Sequence, residues 1–165
     1  MNMHWQLIAE CLRQELAEYG GLLHLFDQQQ GSLFARNPGA VLQFGGQIEE
    51  QVRVLHTCRA RREEVVAAFA TERGASAHET IRGLLPLIEA DARPLLEALI
   101  NEVNRLVHRV RRTSHQNHTL LTRAVELHQE VLRELRPGTF SKTYSPEGRV
   151  SLNVTHPAPA LLATG

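Results

Sequence analysis

The chain has a single lysine, Lys142, against seventeen arginines, two cysteines, eight aromatic side chains in 165 residues, and no apolar run of eighteen residues. Each shortage excludes something. Without a long apolar run no membrane-spanning helix is expected, and without a basic stretch ahead of the first apolar residues no signal peptide is expected, so direct membrane insertion is not foreseen and the compartment reads as cytoplasmic. Cys11 and Cys58 stand in no CxxC arrangement and build neither a zinc finger nor a disulfide framework, and in a reducing compartment both read as core thiols. Eighteen acidic residues balance eighteen basic ones. A neutral chain has no net field to attract nucleic acid or an anionic lipid surface, and the basic runs at Arg59–Arg62 and Arg105–Arg112 read as solvated helix faces.

A catalytic set is missing too. No nucleophile stands with its base, no glycine-rich loop is placed to cradle phosphate, and no Glu-x-x-His pair of the di-iron bundle type occurs. His115 and His118 share a helix face at i, i+3, but no third ligand on that stretch completes a metal site. The expected protein is not an enzyme and holds no metal or cofactor.

What is present is helical periodicity. From Leu96 to Leu135, apolar or small residues recur at Leu96, Leu99, Val103, Leu106 and Val110, then at Leu120, Ala124, Leu127 and Val131, a heptad that keeps one seam on one face. As one helix it would be about 60 Å long, too long to bury its stripe without other long helices beside it. A second, thinner row through Ile100, Val107, Leu121, Val125 and Leu132 gives it more apolar surface than one partner helix covers. Thr113 and Asn117 fall where apolar residues are due, which marks a bend, a polar layer or a functional gap.

Upstream, Trp5, Ile8, Leu12, Leu16, Tyr19, Leu22, Leu23, Phe26 and Leu33 keep helical spacing from Met3 to about Phe34. Gly20, Gly21 and Gly31 within that stretch predict a kink or a close backbone approach. Asn37-Pro38 reads as an N-cap and first-turn proline, opening a second helix antiparallel to the first that runs to about Arg73 and ends at Gly74. Ser76 with Glu79 has capping-box spacing for a short helix through Leu84, Leu85 and Ile88, and Asp91 with Pro94 opens the long helix, which stops at Pro137-Gly138. The fold expected is all-α: an elongated antiparallel bundle of three or four long helices with coiled-coil-like packing over 1–136 and a flexible C-terminal tail over 137–165. In that tail a Pro-Glu-Gly turn signal separates two short β-prone pieces. Tyr144 reads either as a docking anchor or as a tyrosine tucked on the bundle.

The run Asn101-Glu-Val-Asn104-Arg-Leu106-Val107, then Asn117-His-Thr-Leu120-Leu121-Thr-Arg-Ala124-Val125-Glu126, followed beyond the helix by Tyr144-Ser-Pro-Glu-Gly148, resembles the FlgN-type flagellar export chaperones. The resemblance implies a cytosolic chaperone of flagellar type III secretion. Such a chaperone binds the C-terminal amphipathic helices of the hook-filament junction (hook-associated) proteins, prevents premature assembly, and passes them to the cytoplasmic domain of the export gate. Recognition would be helix-in-groove, with the client segment ordering on an apolar stripe. The groove residues it points to are Leu99, Val103, Leu106, Val107 and Val110, continuing through Asn117, Leu120, Leu121 and Val125. Ordinary bundle core is the other reading of each. Tyr144 and Gly148 would dock the export gate. The competing function is a coiled-coil scaffold that homodimerises through the same stripe.

Overall fold

The computed structural model describes residues 4–135, 141–144 and 150–153. Helix α1 spans His4–Phe34 without interruption. Its glycines do not act as the spacing suggested: a Cβ at Gly20 or Gly31 would meet nothing within 4 Å, and only Gly21 is approached, by the Gln51 side chain at 3.4 Å. Gly20→Ala is therefore expected to stabilise the fold by about 0.5–1 kcal/mol, since a helix-interior glycine there only adds entropy to the unfolded chain. A rise in the thermal midpoint would show it.

The reversal into α2, Pro38–Glu72, is as tight as Asn-Pro predicts. Arg36 takes a positive φ of 54°, the Asn37 side chain accepts from the Ala40 amide at 3.1 Å, and Pro38 opens the helix. The two helices are antiparallel: Gln29 lies against Gly45, Gly21 against Gln51 and Glu15 against Arg62, one number falling as the other rises. Gly74, at φ 71°, ends α2 in a Schellman turn, in which the amide of Gly74 donates to Thr71 and that of Ala75 to Ala70.

The link to the last helix departs in one detail. Ser76 does not cap a helix; its hydroxyl accepts from the His78 amide within a local turn, and the cap is Thr80, whose hydroxyl accepts from the Gly83 amide at 3.1 Å. Helix α3 is then only Ile81–Leu84, and Pro86 is accommodated because the chain continues as a 3₁₀ turn, Leu85–Leu87. The Arg93 guanidinium donates to the carbonyls of Ile88 and Pro86, each at 3.0 Å, and fixes this turn to the start of α4.

Helix α4, Arg93–Leu135, runs through Thr113 unbroken. Ile8, Leu12, Leu22 and Phe26 of α1, Leu55 and Phe69 of α2, Leu84 and Ile88 of the link, and Leu96, Ile100, Val103 and Leu106 of α4 form one core. Backbone contacts divide the chain into Met1–Leu121 and Thr122–Gly165, a boundary that falls inside α4. In the second unit, strands β1 (Ser141–Tyr144) and β2 (Val150–Asn153) pair antiparallel, with Tyr144 opposite Val150. They fall where the two β-prone pieces stand in the sequence.

Candidate docking face on the last helix

Along the first half of α4 the heptad seam is spent on the protein's own core. Val103 and Leu106 are 4% and 9% exposed, Leu96 is sealed, and Leu99, Val107 and Val110 are half-buried against the same cluster. The first five of the nine residues assigned to the groove are thus wholly or partly occupied by the bundle. Val103 and Leu106 in particular are core: no incoming helix reaches them without opening the fold.

Asn117 is the polar layer. It is 1% exposed, its Nδ2 donates to the Phe26 carbonyl at 2.8 Å and to Gln29 Oε1 at 3.2 Å, and its Oδ1 accepts from Gln30 Nε2 at 3.2 Å. A buried amide with these partners is satisfied, and it is a buried polar link within the bundle rather than a groove residue. Asn117→Ala is expected to destabilise the bundle by about 1–3 kcal/mol, because Gln29, itself 7% exposed, is left short of a partner. Urea unfolding of the variant measures the loss.

Past Asn117 the same face changes character. Helix α1 has four residues left after Gln30, Gly31–Phe34, whereas α4 has eighteen after Asn117, His118–Leu135. Leu120 and Leu121 are half-buried in the first unit. In the second unit Val125, Leu127, Val131, Leu132 and Leu135 stand between 53% and 73% exposed. Val125 was among the groove residues. Leu127, Val131 and Leu132 belong to the two apolar rows read from sequence but not to that list, and their signal was phase: they repeat the positions of the seam that the first unit buries. Tyr144 lies in β1, paired with Val150, and Gly148 falls outside the described residues.

One buried feature was not foreseen. Glu15 is fully sealed, with Arg62 Nε standing 3.2 Å from its Oε1 in a charge contact that lacks hydrogen-bond alignment. Burial pushes its carboxyl above the ordinary 4.5, against the pull of Arg62 and Arg59. Burial also raises the thiols of Cys11 and Cys58, both free. A raised thiol carries little thiolate at neutral pH, in keeping with core packing. His115 and His118 are exposed, and among the described residues no group of histidine, cysteine and acid is arranged to hold a metal. No helix among them is long and apolar enough to cross a membrane.

The chain is thus a helical bundle that closes its core and leaves an apolar face exposed on the later turns of its longest helix. The family is specific: the FlgN protein family model matches residues 1–151, and the chain belongs to that family of flagellar export chaperones. No curated protein and no solved structure matches the chain closely enough to add to this.

Proposed function

We propose that this chain is a cytoplasmic chaperone for hook-associated flagellar proteins, and that it holds their C-terminal amphipathic helices on the apolar face formed by Val125, Leu127, Val131, Leu132 and Leu135. The observation that carries the reading is the exposure of this face, 53–73% per side chain, on a helix whose earlier turns bury the same seam. The docking face is accordingly moved toward the C-terminal end of α4; Val103, Leu106 and Asn117 leave it. Covering a side chain of this kind is worth about 1.5–3 kcal/mol, and ordering a disordered client segment takes back about 2–5 kcal/mol. The balance allows a complex firm enough to block assembly and weak enough to release. Tyr144 and Gly148 remain the proposed contact with the cytoplasmic domain of the export gate.

The test is calorimetric titration of the full chain with a synthetic peptide covering the last helix of a hook-associated protein. A saturable complex with a negative heat-capacity change supports the reading, since apolar burial gives that sign. Absence of binding to the C-terminal helices of all the hook-associated proteins overturns it. A concentration-independent dimer whose apolar face admits no dye would instead assign the face to a second copy.

A further inference from the structure

The basic run on α4 gathers its charge on one ridge. On α4, Arg105, His108, Arg109 and Arg112 follow at i, i+3, i+4 and i+7, one ridge of the helix, and they line a shallow surface depression. All four are exposed. Between Glu102 and Glu126 the helix contains no acidic residue and five arginines. Only Arg105 finds a carboxylate, Glu102 at 2.6 Å; Arg109, Arg111 and Arg112 have no ion-pair partner among the described residues. In a chain of net charge 0 this ridge of α4 therefore carries positive charge that is largely unneutralised.

We propose that the ridge Arg105–His108–Arg109–Arg112 is a docking surface for an acidic, Asp/Glu-rich segment of a partner protein. The choice of partner follows from what surrounds the ridge. Single-stranded nucleic acid needs aromatic side chains on which bases stack, and the exposed large apolar residues of the first unit, Leu7, Phe34, Leu42, Leu87 and Leu95, all lie on other elements or at the start of α4. Duplex nucleic acid binds through net positive charge that this chain lacks. Interfacial membrane binding pairs a basic face with apolar side chains that enter the bilayer, and those of the Arg105–Arg112 run, Leu106, Val107 and Val110, are buried or half-buried against the core. Carboxylates need neither: arginine forks grip them pairwise through parallel N–H donors, and successive arginines along a helix ridge match carboxylates along an extended chain.

The test is fluorescence anisotropy of the full chain with a labelled twelve-residue Asp/Glu peptide, alongside anionic phosphatidylglycerol vesicles and a single-stranded RNA oligomer. Saturable peptide binding that weakens steeply with salt is expected. It should fall at least tenfold in the double variant Arg109→Glu/Arg112→Glu and persist in Arg13→Glu/Arg36→Glu, which changes the net charge equally but elsewhere. No peptide binding, equal loss in both double variants, or a preference for vesicles or RNA overturns the assignment. Far-ultraviolet circular dichroism should show the same helicity in all three proteins, as exposed substitutions leave stability nearly unchanged.

Discussion

Arg62→Ala is expected to lower stability at neutral pH by about 3–5 kcal/mol, the loss typical of breaking a buried ion pair by removing one partner. Glu15 is sealed between α1 and α2, and Arg62, whose side chain is 19% exposed, can still reach water when its partner changes, whereas Glu15 cannot. The asymmetry predicts unequal single variants: Glu15→Gln should be close to neutral, and the double variant Glu15→Gln/Arg62→Ala should recover most of what Arg62→Ala loses. The pH dependence has a definite sign. The folded carboxyl titrates above the ordinary 4.5 of the unfolded chain, so the contribution of Glu15 is fully present below that value and is lost as pH rises through the raised folded value. Without Arg62 the carboxyl rises further, the deficit widens toward neutral pH, and it shrinks on acidification. Chemical denaturation of the four proteins between about pH 4 and 8 decides the matter, a window that opens below the unfolded carboxylate value and follows the deficit upward from it. A deficit that does not change with pH would show that Arg62 acts through packing alone.

The second large effect is on client binding. Leu127→Asp/Val131→Asp is expected to weaken the complex with a hook-associated C-terminal helix by at least about a hundredfold, since truncating or charging a central interface anchor removes 2 kcal/mol or more per site. The free protein should be indifferent, because both side chains are already more than half exposed. Val103→Asp makes the complementary case: that position is 4% exposed, and a carboxylate there is expected to unfold the bundle rather than bare a binding defect. If the double variant melts as the parent does and still binds, the client lies elsewhere.

Much of the architecture could be read in advance because it depends on local chemistry. Asn37-Pro38 and Gly74 punctuate the helices by cap and left-handed geometry, and each sits where the sequence implies. Ser76 misled because Thr80, four residues on, is an equally good cap and lies next to the helix that forms. The docking face was legible in kind but not in place. A heptad says which side of a helix is apolar, and it does not say where along that side the neighbouring helices end; Phe34 closes α1 far short of Leu135 in residue count, and this separates the buried Val103 from the exposed Val131. Glu15 was overlooked although Ile8, Leu12, Glu15, Tyr19 and Leu22 step by four and three, putting an acid on the inward seam of α1. Its partner was hidden in an arginine run that otherwise faces water.

Asn117 has a mechanical consequence. Were α4 free to ratchet along α1 by a turn, later leucines could slip into the bundle and the helix would quench its own stickiness. The amide, clasped by Phe26, Gln29 and Gln30, acts as a detent against that slide, since any shift drags an unsatisfied polar group through oil. On the proposed function, a receptive surface would thereby be kept from healing over while no cargo is present.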